Sequence, residues 1–188
     1  MDRMPARATH SLFFALWPGE ETRSRIGAAS RSLQAAGPAH GRWIKPARYH
    51  LTLRYLGAHV QVPADLIADA RAVGDSVRVG AFDCALDMAG SFANRSIPWW
   101  VGCSRIPAAM TELVDRIAEG MRARGRPIKD EASFVAHVTV LRDAERMLPV
   151  SAIAPIGWHV DEFVLIDSEL GPRPGYTIVE RWPLISRR

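Results

Sequence analysis

The chain is 188 residues long, 48% hydrophobic and 23% charged, enough to bury one sizeable core without disulfide or metal support. Mean hydropathy is −0.04 and no apolar run approaches the ~18 residues of a membrane-spanning helix, which excludes a helical span, while evenly spread Gly and Pro exclude a collagen-like or low-complexity chain. The net charge of +4 is carried almost wholly by arginine, since Lys45 and Lys129 are the only lysines; it permits a polyanionic partner without requiring one.

Residues 1–8 are expected to be a flexible N-terminus ahead of a single domain over 9–188. The run from Leu12 to Trp17 is too short for a secretory core and stops at Pro18 with acids behind it, so Ser11 to Trp17 is predicted as a strand. Glu20 and Glu21 suit the first turn of a helix reaching Ala36, with Ile26, Ala29, Leu33 and Ala36 as its apolar stripe. Gly37-Pro38 ends it, and Trp43-Ile44 reads as a short strand before the Lys45-Pro46 turn. Tyr49 to Gly57 is predicted as a strand, and Pro63 opens a helix carrying Leu66, Ile67, Ala70, Val73 and Val77. Phe82, Cys84, Leu86 and Met88 alternate with Asp83, Ala85 and Asp87, the pattern of a half-buried strand.

After an Asn94-Arg95-Ser96 turn, Ile97 to Gly102 is predicted as a strand and Pro107 opens a third helix with Met110, Leu113, Val114, Ile117 and Met121 on one face. Gly125-Arg126-Pro127 stops that helix, and Phe134 to Leu141 is the next strand. Trp158 to Asp167 and Tyr176 to Leu184 are predicted as closing strands, joined by a turn over residues 171–175. Cys84 and Cys103 have neither a disulfide-framework nor a metal-ligand spacing, so they are read as buried free thiols and the expected compartment is the cytoplasm.

The order strand, helix, His-containing strand occurs twice. The first strand start lies 39 positions before His50, and the second lies 40 before His137; each helix start lies 30 positions before its histidine. This predicts two related lobes. Residues two apart in a strand share a face. Leu51, Leu53 and Tyr55 therefore form one face of the first motif, with His50, Thr52 and Arg54 opposite; in the second, His137 and Thr139 oppose Ala136, Val138 and Val140. Two imidazoles facing one another across a cleft could open a cyclic phosphodiester. One takes a proton from water, the other gives one to the departing sugar oxygen, and hydroxyl donors bind the non-bridging oxygens.

The segments Pro46-Ala47-Arg48-Tyr49-His50-Leu51-Thr52-Leu53-Arg54-Tyr55-Leu56-Gly57 and Phe134-Val135-Ala136-His137-Val138-Thr139-Val140-Leu141-Arg142 resemble the paired signatures of the 2H phosphoesterases. The closest branch is that of the RNA 2′,3′-cyclic phosphodiesterases, historically called 2′-5′ RNA ligases. Phe13-Phe14-Ala15-Leu16, Gly90-Ser91-Phe92, Trp100-Val101-Gly102 and the C-terminal hairpin are similar to further landmarks of the family, so the resemblance covers roughly residues 10–185. It implies an α/β (α+β) bilobal sandwich: two pseudo-symmetric lobes, each with an antiparallel-rich sheet and outer helices, around a central cleft. It also implies a cytoplasmic, monomeric hydrolase of terminal 2′,3′-cyclic phosphates on RNA or nucleotides, leaving a 2′-phosphomonoester, with no metal or other cofactor and no membrane partner. The catalytic set would be His50, His137, Thr52 and Thr139, with His50 as proton donor and His137 as acceptor; spacing alone leaves the two roles exchangeable. The sequence departs from the family pattern at Ala136, where a Pro is usual, and at Val140-Leu141-Arg142, where Leu-Ala-Arg is usual.

Arg54 shares the His50 face and is a candidate phosphate contact; Arg142 lies one position off the His137 face and reaches the cleft only if the strand twists or ends there. Phe92, Trp99 and Trp100 are candidates for stacking a base, against the alternative that strand aromatics belong to the core. Ser168 resembles a family position, with turn chemistry as an equal explanation. His10, His40, His59 and His159 lack a paired Thr and are read as ordinary histidines. Two rival functions remain open at this level: ligation or cleavage of 2′-5′ linkages, and a nucleotide- or RNA-binding module without turnover.

Overall fold

The computed structural model describes residues 9–37, 39–126, 128, 134–170 and 175–186. The expected flexible N-terminus lies outside them, as does the 171–175 turn apart from Gly175. The elements are β1 (His10–Leu16), α1 (Glu20–Ala36), β2 (Arg42–Trp43), β3 (Leu51–His59), α2 (Ala64–Ser76), β4 (Phe82–Ser91), β5 (Trp99–Gly102), α3 (Ala108–Ala123), β6 (His137–Arg142), β7 (Ser151–Val160), β8 (Glu162–Glu169) and β9 (Tyr176–Pro183). A single 3₁₀ turn, Pro46–Arg48, leads into β3.

The strands form one antiparallel sheet in the order β7-β4-β5-β6-β3-β1-β8-β9, with β2 beside β6. Its centre is a single pair, Leu51 opposite Val138, which joins β3 to β6. Outward from that pair run β3-β1-β8-β9 on one side and β6-β5-β4-β7 on the other. The two lobes are thus the halves of one sheet, each supplying a strand–helix–strand unit: β1-α1-β3 and β5-α3-β6.

One large cluster packs the helices against the strand residues of one face, including Leu12, Phe14 and Leu16 of β1, Leu51 and Leu53 of β3, and Val138 and Val140 of β6. The α3 stripe of Met110, Leu113, Val114, Ile117 and Met121 is buried as its periodicity predicts. Helix α1 differs. Its buried residues are Ile26, Gly27 and Ser30, while Ala29 and Leu33 are half-buried and Ala36 is exposed, because small residues let the helix lie close while its flank stays wet. On the other face a small cluster of Phe13, Ala15, Val164 and Ile166, flanked by Trp17, Tyr176 and Ile178, forms an apolar floor.

The predicted strand over Trp158 to Asp167 is two strands. β7 ends at Val160 and pairs with β4, whereas β8 begins at Glu162 and pairs with β1, so the chain passes from one half of the sheet to the other at Asp161. Apolar residues on both sides of Asp161 mask that break in the sequence. The first half of β7 carries Pro155 and is polar or small, which suits an edge strand. Strand β4 also breaks its alternation: a bulge between Leu86 and Met88 leaves Met88 half-buried and gives the core position to Ala89.

Gly102 fixes the approach to β6. It pairs with His137, and a Cβ there would lie 2.6 Å from the Ala136 carbonyl oxygen, which accepts the Cys103 N–H at 3.0 Å. Gly102→Ala must therefore displace the segment carrying His137. It is expected to lower stability by about 1–3 kcal/mol, measured by urea denaturation, with a greater loss wherever His137 contributes to activity than at a surface Gly157→Ala control, which has open space around its Cβ.

Candidate active site

The central pair dictates the site. Leu51 and Val138 are fully buried in the helix-side core, so their strand neighbours turn to the opposite face: His50 and Thr52 on one strand, His137 and Thr139 on the other. His50 Nδ1 bonds the Arg48 carbonyl at 2.9 Å, and His137 Nδ1 bonds the Val135 carbonyl at 2.7 Å. A carbonyl only accepts, so each Nδ1 carries the proton and donates it. In the neutral ring that puts the lone pair on Nε2, where it can act as a base, and in the charged ring it puts there an N–H that can be given away.

Two adjoining cavities receive these groups. One, of about 630 Å³, is lined by His50, Thr52, Phe13, Arg48, Arg142 and Tyr176 among others. The second, of about 540 Å³, is lined by His137, Thr139, Phe92 and Arg142. Arg142 is common to both, and its charge is felt at His50.

Bulges decide which arginine reaches the cleft. Ala15 opposes Thr52 while Phe14 opposes Arg54, so Leu53 is an extra residue in β3. Arg54 is thereby turned to the helix side, where Nε donates to the Val114 carbonyl at 3.2 Å and the guanidinium lies 3.7 Å from Asp115, both on α3. This corrects its assignment to the His50 face. The same bulge brings Tyr55 to the cleft, opposite Phe13, away from the apolar face expected for it. In β6 the effect is reversed. Trp100 opposes Thr139 while Trp99 opposes Leu141, so Val140 is the extra residue and Arg142 returns to the Thr139 side.

Phe92 lines the His137 cavity and its ring meets the imidazole edge-on, with centroids 4.8 Å apart. Trp100 is buried behind Phe92 at 5.5 Å, and Trp99 is buried in the core with its indole N–H on the Arg146 carbonyl. Both tryptophans are thus supports rather than open stacking surfaces. Ser168 is buried, opposite Ser11, and both line the His50 cavity. His10 is paired with Asp167 and His159 with Asp83, while neither they, His40 nor His59 lines either cavity. Arg48, Tyr55, Tyr176, Phe13 and Trp17 were not singled out by the sequence. Their signal was weak, because Phe13 and Trp17 sit in a run that is apolar on both faces and Tyr176 comes from the far end of the chain. Among the described residues no cluster of three or more His, Cys, Asp or Glu could hold a metal ion, and no helix is long and apolar enough to cross a membrane.

The two histidines have different surroundings. His50 stacks on Phe13 at 5.0 Å and on Trp17 at 6.4 Å, with Tyr176 edge-on at 5.2 Å. Burial among these rings pushes its pKa down to about 4, helped by the positive charges of Arg142 and Arg48 and by His137, and opposed by the bond to the Arg48 carbonyl.

The comparisons with known proteins agree with this geometry. The model of the 2′-5′ RNA ligase superfamily matches residues 18–172, most of the chain. The chain belongs to that superfamily. A relative from Geobacillus stearothermophilus named RNA 2′,3′-cyclic phosphodiesterase is 27% identical over 157 residues, 76% of this chain; the chain spans only 48% of that relative's length. An Aquifex aeolicus protein of the same name is 27% identical over 156 residues, 77% of this chain and 82% of its own. The crystal structure of E. coli LigT complexed with 3′-AMP superposes with a TM-score of 0.78 at 28% identity, over 94% of this chain and 98% of that one. The shared superfamily and fold extend across both halves of the sheet.

The depressed His50 pKa makes a stability prediction. The unfolded imidazole titrates near 6.5 and the folded one near 4, so the unfolded state binds more protons between those values. The contribution is complete above about pH 6.5 and is lost as pH falls toward 4, a total of about 3 kcal/mol. Urea midpoints across that window are expected to fall less steeply in His50→Gln than in the parent; equal slopes would mean that His50 is not held neutral by the fold.

Proposed function

We propose that the chain hydrolyses terminal 2′,3′-cyclic phosphates of RNA or nucleotides to 2′-phosphomonoesters, without a metal, using His50 and His137 as an acid–base pair. The observation that carries this reading is the flanking of one central strand pair by two His-Thr sets with Arg142 between their cavities. The relatives named RNA 2′,3′-cyclic phosphodiesterases support it. Water attacks phosphorus, a P–O bond to water forms, and the bond to the sugar 3′ oxygen breaks. One imidazole takes the water proton and the other protonates the leaving oxygen. Thr52, Thr139 and Arg142 stabilise the charge that gathers on the non-bridging oxygens.

Burial favours His50 as the acceptor, since its imidazole is neutral over the physiological range and carries its free lone pair on Nε2. His137 is then the donor, the reverse of the assignment taken from resemblance. All five groups come from one chain, so the site is complete in a monomer, and the free thiols Cys84 and Cys103 fit the reducing cytoplasm.

His50→Ala and His137→Ala are each expected to reduce the rate by about 10²–10⁴, and the double variant by far less than the product, because the pair acts as a unit. Thr52→Val and Thr139→Val should each lose ~10- to 10³-fold. Identifying the products from 2′,3′-cyclic nucleotides and from 2′-5′ oligomers checks the reaction class, and near-full activity in His137→Ala would remove the mechanism. Activity is expected to survive exhaustive dialysis against EDTA.

The pH profile tests the roles. With His50 as acceptor, kcat/KM should decline on the acid side only near pH 4, and the residual activity of His50→Ala should lack that limb. A kcat/KM that instead declines as pH rises through about 4 would make His50 the donor.

A further inference from the structure

We propose that Arg48, held over the ring of Tyr176, is a subsite for the next phosphate along an RNA strand, on the 5′ side of the nucleoside bearing the cyclic phosphate. This rests on the hydrolase reading above and gives its substrate class more closely: strands, or nucleotides bearing a 5′-phosphate, over nucleosides with a free 5′-hydroxyl.

The 3₁₀ turn Pro46–Arg48 places this residue. Its carbonyl anchors the His50 ring, so its side chain begins two residues from the imidazole. The guanidinium carbon lies 4.4 Å from the centre of the Tyr176 ring, and the same ring meets His50 edge-on at 5.2 Å. Arg48 and His50 therefore both contact one tyrosine and line the same cavity.

The charge on Arg48 is unanswered. Several arginines have carboxylate partners, among them Arg54 with Asp115, Arg126 with Asp65 and Asp69, and Arg42 with Asp143. Arg48 forms no ion pair among the described residues, and its Nε is buried without a hydrogen-bond partner. Glu169 lines the cavity too, but it is exposed and its carboxylate lies toward Gly175. A cation kept unpaired beside a reacting centre is suited to an anion brought by the ligand.

Geometry selects phosphate over a base. The guanidinium covers a face of Tyr176, so no base can stack directly on that ring face. A guanidinium lying on an aromatic face keeps its N–H groups at its edge, where a planar fork of donors matches two phosphate oxygens. The reacting phosphate already has Thr52, Thr139 and Arg142, leaving Arg48 for the neighbouring one.

The test compares kcat/KM for adenosine 2′,3′-cyclic phosphate carrying a 5′-phosphate with that for the 5′-hydroxyl compound, in the parent and in Arg48→Met. The parent is expected to prefer the phosphorylated substrate by about 10- to 100-fold, mainly through KM, and Arg48→Met to bring that ratio close to one. Arg48→Lys should fall between them, since it keeps the charge and loses the fork. A merely structural role would lower both substrates alike and preserve the ratio; that result, or a parent ratio near one, overturns the proposal. Should the parent hydrolyse neither compound, the hydrolase reading fails, and calorimetric binding of adenosine 5′-phosphate against adenosine then decides the subsite. A preference lost in Arg48→Met upholds it, and equal affinities in the parent sink it.

Discussion

One hydrogen bond, made twice, organises this molecule: the Nδ1–H of each motif histidine donates to the peptide carbonyl two residues before it. The bond removes one of two tautomers and fixes the ring, so that only Nε2 remains for chemistry. It works only if the preceding segment is itself rigid. For His50 that segment is the 3₁₀ turn ending at Arg48; for His137 it is the stretch closed against Gly102. The sheet then brings the two rings together through one pair, Leu51 with Val138. Burial of those two side chains leaves the flanking His and Thr no choice of face. A slip of one residue there would send the imidazoles into the core and the leucine into water, which the hydrophobic term forbids.

The halves repeat in topology and differ in lining. His50 is walled by Phe13, Trp17 and Tyr176, and His137 meets Phe92 with Trp100 behind it. Two copies of one residue type must play opposite roles in an acid–base pair, and identical surroundings would give them identical proton affinities. The aromatic enclosure lowers the proton affinity of His50 by withdrawing water from it. The charges of Arg142 and Arg48 act in the same direction at His50.

The regular parts of the strands were legible in the sequence, and the bulged parts were not. Period-two reading puts His50 with Thr52 and His137 with Thr139, and the structure keeps both pairs together. It fails one or two residues further on. The extra Leu53 sends Arg54 to α3, and the extra Val140 returns Arg142 to the cleft. A bulge costs only one unpaired residue and leaves no composition signal when that residue is as apolar as its neighbours, as Leu53 and Val140 are. Strand β7 escaped for a related reason: an edge strand needs neither alternation nor high β propensity, and Pro155 argues against a strand only when the strand is central. Helix α3 is buried along its full expected stripe; α1 keeps its expected bounds and buries Ile26, but it also packs through Gly27 and Ser30 and leaves Ala36 exposed. Arg48 and Tyr176 lie 128 positions apart and meet only through the pairing of β8 with β1 and β9, which no local pattern encodes.

Ala136 shows how the second motif keeps its rigidity without the proline usual in the family pattern. A proline ring would fix φ covalently before the histidine. Here the same place is held by packing. Ala136 is fully buried, its carbonyl accepts the Cys103 N–H at 3.0 Å, and the absent side chain of Gly102 lets the two strands close to that distance. A side chain at position 102 would force the strands apart, whereas glycine lets main chain lie directly on main chain. The hydrogen bond from His137 to Val135 then starts from a backbone that is already fixed on the neighbouring strand. Rigidity supplied by a ring is local, whereas rigidity supplied by strand contact is shared with β5 and, through Trp100, with the wall behind Phe92. The position of the His137 imidazole is therefore coupled to its neighbouring strand, and the small residues Ala136 and Gly102 become part of what aims it.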